Sequence, residues 1–239
     1  MDKTIFRAEE FIQEDGYKLL YRLYIPADYD ETKAYPLVLF MHGAGERGDD
    51  NISQLRIGIM EMFKYPDSPI HNCIIVAPQC PKDKKWVGVQ WPKCIYSVEE
   101  LEQTKEIDAV LALLADVQTR YHIDSDRIHV TGISMGGYAT WDLITRHGDL
   151  FASAVPLCGG CDVSKAAALA KIPIWTFHGA LDDTVLPTGT RAMAEAIIRE
   201  GGTKFRYTEL SDKSHNIWTD VYSIEEMPKW LLSHKRSDR

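Results

Sequence analysis

Arg127-Ile128-His129-Val130-Thr131-Gly132-Ile133-Ser134-Met135-Gly136-Gly137-Tyr138-Ala139-Thr140-Trp141 decides the fold. Residues 127–133 are an apolar, β-branched run that reads as a buried strand. Residues 135–147 read as a helix. Between them the chain must turn sharply, and Gly132 and Gly136 leave room for strand and helix to pass close together. A serine at the apex of such a turn has its hydroxyl in open space. The helix that follows aims its free N–H groups and the positive end of its dipole at that hydroxyl. This is the local context in which a Gly-x-Ser-x-Gly serine acts as a nucleophile, so Ser134 is the first candidate residue.

Outward from this stretch, strands and helices alternate. Residues 4–12 and 17–25 read as two strands joined through Asp15-Gly16, a hairpin signal. Residues 36–41 and 73–77 are continuous apolar runs of the kind buried on both faces of a parallel sheet. Further strands are expected at 152–157, 172–177 and 204–210. Helices are expected at 52–64, 98–121, 164–170, 188–200 and 217–233. Alternation of this kind implies a mainly parallel sheet with helices on both faces and an antiparallel hairpin at one edge. No linker or repeat interrupts residues 1–239, which read as one domain. Ligands of such sheets bind beyond the carboxyl ends of the strands.

Composition narrows the function. A net charge of −8 argues against nucleic acid and against anionic membrane surfaces as partners. No stretch nears the roughly 18 uninterrupted apolar residues of a membrane span. The chain enters a strand pattern at once, without an apolar leader, which reads as cytoplasmic. Five scattered cysteines, Cys73, Cys80, Cys94, Cys158 and Cys161, form no disulfide framework. Cys158-Gly159-Gly160-Cys161 has no second pair, and no cluster has metal-ligand spacing, so neither metal nor cofactor is expected.

A serine hydroxyl needs a base. Of eight histidines, His215 follows the last strand in the polar loop Lys213-Ser214-His215-Asn216 and is the candidate. His178-Gly179 ends an earlier strand and reads as part of the turn that positions an acid. Asp182 and Asp183 follow it, with Asp162 a more distant choice. The oxyanion of a tetrahedral intermediate needs two N–H donors. Met135, next to the serine, supplies one. The Gly-rich loop His42-Gly43-Ala44-Gly45 supplies the other through Ala44. This loop lacks the Gly-Lys-Ser/Thr ending and the G-x-G-x-x-G spacing of phosphate-binding loops. Glu46, Arg47, Asp49 and Asp50 read as an ion-paired brace for the loop. Trp86 and Trp91, in the long irregular segment 78–98, and Trp218, three residues past His215, are candidate substrate-binding walls. Trp141, Trp175 and Trp230 read as core.

Taken together, Leu39-Phe40-Met41-His42-Gly43-Ala44-Gly45-Glu46-Arg47-Gly48, Ala77-Pro78-Gln79-Cys80, Gly132-Ile133-Ser134-Met135-Gly136-Gly137-Tyr138, His178-Gly179-x-x-Asp182-x-x-Val185 and Ser214-His215-Asn216 resemble the α/β-hydrolase carboxylesterases. Among these the chain resembles the bacterial esterases classed with polyhydroxybutyrate-depolymerase-like, feruloyl and acetyl xylan esterases. The resemblance implies an α/β-hydrolase fold and a Ser134–Asp182–His215 triad, because the family's acid is the aspartate of His-Gly-x-x-Asp. It also implies Ala44 as an oxyanion donor. The substrate implied is a small-molecule or oligosaccharide ester, with feruloyl or acetyl groups on plant-derived sugars among the choices. The stretch between Leu157 and Ile172 is too short for a large lid domain, which argues against an interfacial lipase. The alternatives on the same fold are a peptidase of the prolyl oligopeptidase kind and a thioesterase.

Overall fold

The computed structural model describes residues 2–91 and 93–239. Eight strands form one sheet: β1 (Phe6–Ile12), β2 (Lys18–Tyr24), β3 (Tyr35–Met41), β4 (Ile74–Gln79), β5 (Ile123–Ile133), β6 (Ser153–Leu157), β7 (Ile174–Gly179) and β8 (Phe205–Leu210). Their spatial order is β1-β2-β4-β3-β5-β6-β7-β8. The first two strands pair antiparallel, and β2 is antiparallel to β4. From β4 to β8 the sheet is parallel. The hairpin turns where expected, with Gly16 at φ 83°.

Alternation along the strands builds two cores. Leu37, Leu39 and Met41 of β3 point to one face. They pack there with α1 (Lys105–Arg120), α2 (Met135–Arg146), α3 (Ala166–Leu169) and α4 (Thr188–Arg199). Val38 and Phe40 point to the other, against the 3-10 turns of residues 53–63, α5 (Trp218–Tyr222) and α6 (Glu226–Leu232). Side chains of a strand face alternate sides, so a strand that is apolar throughout must be covered on both. The fold is the α/β-hydrolase fold. Between β6 and β7 lie only a 3-10 turn and the single turn of α3.

Three helix boundaries differ from the sequence reading. The helix expected from residue 98 starts at Lys105, capped by the Thr104 hydroxyl, which accepts from the Ile107 N–H at 3.2 Å. Before it, the carbonyls of Val98 and Leu101 accept from the Arg146 guanidinium at 2.9 and 2.7 Å, which holds the segment out of a helix. The helix expected over 52–64 is two 3-10 stretches, Ser53–Leu55 and Ile59–Phe63, broken where Gly58 adopts φ 94°. The final helix divides into α5 and α6. Continuity would need an N–H at Pro228 to reach back to Ile224, and proline has none.

Candidate active site

Ser134 sits at φ 52°, ψ −114°, a strained conformation for any residue but glycine. Its N–H donates to Leu157 O on neighbouring β6 at 2.9 Å, which pins the turn. The turn also requires Gly136, since a Cβ there would lie 1.9 Å from Met41 O. α2 begins at Met135, directly behind the serine.

The loops after β7 and β8 bring two more side chains to Ser134. His215 Nε2 lies 2.8 Å from Ser134 Oγ, and His215 Nδ1 lies 2.6 Å from Asp182 Oδ2. The carboxylate therefore holds the proton on Nδ1 and leaves Nε2 free to accept from the serine hydroxyl. Asp182 is buried. Its Oδ1 accepts from the N–H groups of Thr184 and Val185, both at 2.9 Å. Burial alone would raise its pKa. Hydrogen bonds from His178, His215 and the Val185 N–H outweigh that and hold it well below the usual carboxylate range. Gly179 lets the two loops meet, because a Cβ there would lie 2.0 Å from Ser214 O.

His178 has a role that its sequence position only hinted at. Its Nε2 faces two acceptors, Val185 O at 2.8 Å and Asp182 Oδ2 at 3.1 Å, so that nitrogen carries the proton. Its Nδ1 pairs with the Thr190 hydroxyl at 2.8 Å. Asp182 Oδ2 thus accepts from two imidazoles, one buried and one facing the serine. The signal available in the sequence was the His-Gly-x-x-Asp spacing. Asp183 is exposed and lies outside this network, and Asp162 bonds the Val98 N–H instead.

Across the serine, Ala44 opens the 3-10 turn Ala44–Glu46, and Met135 opens α2. The first N–H of a helix has no acceptor within that helix, which leaves both without an intrahelical partner. The loop carrying Ala44 is fastened from behind. His42 Nε2 accepts from the Cys80 N–H at 2.9 Å, and its Nδ1 lies 2.6 Å from Gly43 O. Burial pulls the His42 pKa down to about 4. The ion pair of this loop is Glu46 with Arg56, at 2.8 Å. Arg47 instead donates to Ala44 O at 2.9 Å, and Asp50 caps Ile52 and Ser53.

A family described as phospholipase/carboxylesterase matches residues 28–232. The chain belongs to this family. It is therefore a member of a family of carboxylic ester hydrolases. Among solved structures, a thermostable esterase aligns with 97% of the chain at 34% identity and a TM-score of 0.86, the chain covering 64% of that protein. A ferulic acid esterase aligns with 95% of the chain at 15% identity and a TM-score of 0.69, with 97% of that protein covered. A bifunctional acetylxylan esterase/xylanase of Neocallimastix patriciarum is 30% identical over 90 residues, which are 37% of this chain and 13% of that protein. A poly(3-hydroxyalkanoate) depolymerase C of Paucimonas lemoignei is 25% identical over 160 residues, 52% of this chain and 37% of that protein. The chain thus spans less than two thirds of the thermostable esterase and a smaller part of these curated relatives.

In this family member a cavity of about 310 Å³ opens over Ser134. Ala44, Ile57, Ile133, Val185, Trp91 and Trp218 make most of its wall apolar. Trp218 also packs edge-on against the His215 ring, centroids 5.1 Å apart. Trp86, expected at the substrate, is instead fully buried and does not line this cavity. Its indole N–H donates to His42 O at 3.2 Å, and its ring packs edge-on against the His42 imidazole, so it braces the loop that carries Ala44. A buried indole must find an acceptor for its N–H, and that acceptor is the loop's own backbone. Among the described residues, three potential metal ligands come together, Cys158, Asp182 and His215, with donor atoms within 4.8 Å of one another. Two of them already bond each other, and burial pushes the Cys158 thiol up. A cation there would have to break the hydrogen bond that orients His215.

Proposed function

We propose that the chain is a serine carboxylesterase acting on small to medium acyl esters. The observation that carries this reading is the unbroken line Ser134 Oγ, His215 Nε2, His215 Nδ1, Asp182 Oδ2 at the carboxyl ends of the strands. Ser134 Oγ attacks the ester carbonyl as His215 Nε2 takes its proton. The Ala44 and Met135 N–H groups receive the oxyanion, each contributing about 3–4 kcal/mol in comparable sites. His215 then returns the proton to the leaving alkoxide, which departs as the alcohol. Water, deprotonated by His215, releases the acid from the acyl-enzyme and restores the Ser134 hydroxyl. Asp182, ionised throughout, stabilises the imidazolium formed in each half-reaction.

The small, largely apolar cavity favours short acyl chains and single rings. Relatives named as acetylxylan and ferulic acid esterases support acetyl or feruloyl esters of plant-derived sugars as the substrates. The test is a panel of p-nitrophenyl acetate, butyrate and octanoate, methyl ferulate and acetylated xylo-oligosaccharide, run with wild type and Ser134→Ala. Hydrolysis of the short esters that is lost in the variant is expected. A chain that cleaves dipeptidyl amides or thioesters with a higher kcat/KM than every oxyester would overturn the assignment and favour the peptidase or thioesterase alternative.

A further inference from the structure

Trp91 walls the cavity over Ser134 and carries two cations on its ring. Lys85 Nζ lies 4.7 Å and the Arg47 guanidinium 5.9 Å from the ring centroid. The polar contacts of both are with backbone carbonyls. Arg47 reaches Ala44 O and Lys84 O, and Lys85 reaches Val89 O. Among the described residues neither takes part in an ion pair, so neither charge is neutralised by a carboxylate. The segment 78–98 adds Lys82, Lys84 and Lys93 against a single Asp83, in a chain whose net charge is −8. Lys82, Lys84 and Lys93 are exposed. The one carboxylate lining the cavity, Glu46, is buried and already paired with Arg56. Two cations therefore rest on the ring that walls the site, in a molecule whose net charge is negative.

Resting on the esterase reading above, we propose that the site selects esters bearing an anionic group, with a carboxylate as the simplest case, on the part of the substrate that passes Trp91. A cation held against an aromatic face is positioned without a counter-ion and stays available to an incoming anion. The attraction acts within about 10 Å at moderate ionic strength and weakens as salt is added.

Two substrate pairs test the proposal and tell the two ends of the ester apart. 4-Nitrophenyl glutarate against 4-nitrophenyl pentanoate places the charge on the acyl side. 4-Acetoxybenzoate against 4-acetoxybenzamide places it on the leaving group. In wild type one charged member is expected to have the higher kcat/KM, with the advantage shrinking as salt is raised. Lys85→Met is expected to lower the charged-to-neutral ratio about threefold, and Lys85→Glu about tenfold, the scale of a partly exposed charge pair. The proposal is overturned if the neutral member wins in both pairs, if the preference ignores salt, or if Lys85→Glu leaves the ratio unchanged. Failure of the esterase reading looks different: the neutral esters would then go unhydrolysed, or their hydrolysis would survive Ser134→Ala.

Discussion

Two walls face each other across Ser134, and they are built on different principles. On the proposed oxyanion side the working groups are backbone N–H donors, and His42 and Trp86 behind them are fasteners. His42 and Trp86 are fully buried, and they grip the loop through its own backbone. On the proposed acid–base side the working groups are themselves side chains, linked as His178, Asp182, His215 and Ser134. The difference follows from the task. An oxyanion donor must keep its place while charge appears, so it is fixed from behind. A proton carrier must gain and lose its charge twice in each turnover, so it is held by a carboxylate that favours the charged form.

The contrast is broken most severely at the acid–base wall. Asp182→Asn is expected to lower kcat by about 10⁴-fold, because an amide stabilises the wrong imidazole tautomer and no imidazolium. Single-turnover kinetics with p-nitrophenyl acetate measures it. A loss under tenfold would mean that Asp183 or another group supplies the charge.

His178→Leu sharpens the comparison within that wall. It removes one of two imidazole donors to Asp182 without touching substrate. A fall of about tenfold in kcat with little change in KM is expected, the scale of one hydrogen bond to a charged group. Without that donor the Asp182 carboxylate is a stronger acceptor toward His215, so the acid limb of the kcat profile should move toward higher pH. A purely structural role would reduce stability and leave the profile where it was.

The opposite wall should respond in stability more than in chemistry. Trp86→Phe keeps most of the buried ring but loses the donor to His42 O. A loss of about 1–2 kcal/mol in urea unfolding is expected, with kcat reduced by less than in His178→Leu. Equal loss of kcat in both variants would erase the difference between the two walls.

The last effect concerns pH and is confined to acid conditions. Burial lowers the pKa of His42 to about 4, and that of His129, also beside the positive charges of Arg127 and His234, to about 3. Both are lowered from an ordinary value of 6.5, so the unfolded chain binds the extra protons. Their contribution is complete above pH 6.5 and is lost as pH falls toward 4 and then 3. Denaturant midpoints measured across that range should decline, and His42→Gln should flatten part of the decline.

The order of strands and helices was legible because each carries its own periodicity. Ser134 was legible because its turn is local, five residues between a strand and a helix. His215 was legible as a residue at a strand end, in a sheet that gathers such ends along one edge; the same reasoning left Asp182 and Asp183 open, and the resemblance to the esterases chose Asp182. The fate of Trp86 was not legible. Whether an aromatic in a long segment faces ligand or core depends on side-chain direction, and its decisive partner, His42 O, lies 44 residues away in sequence. The start of α1 was hidden for a similar reason. The apolar spacing from Val98 suits a helix, but Arg146, 45 residues beyond Leu101, claims the carbonyls. The bond from His178 to Asp182 was half legible. The spacing placed the two near each other, and only the turn through Val185 revealed which oxygen they share.

The backbone of Ser134, at φ 52°, also acts as a filter on which nucleophiles evolution or a designer can install. Threonine offers the same hydroxyl, yet its branched Cβ is strongly disfavoured at positive φ. Cysteine has one substituent on Cβ, as serine does, and fits the same torsions. An exchange of oxygen for sulfur at this position is therefore open to the fold, and the gain of one methyl group is not. The geometry of the chain, ahead of any question of reactivity, restricts the hydroxyl nucleophile here to serine.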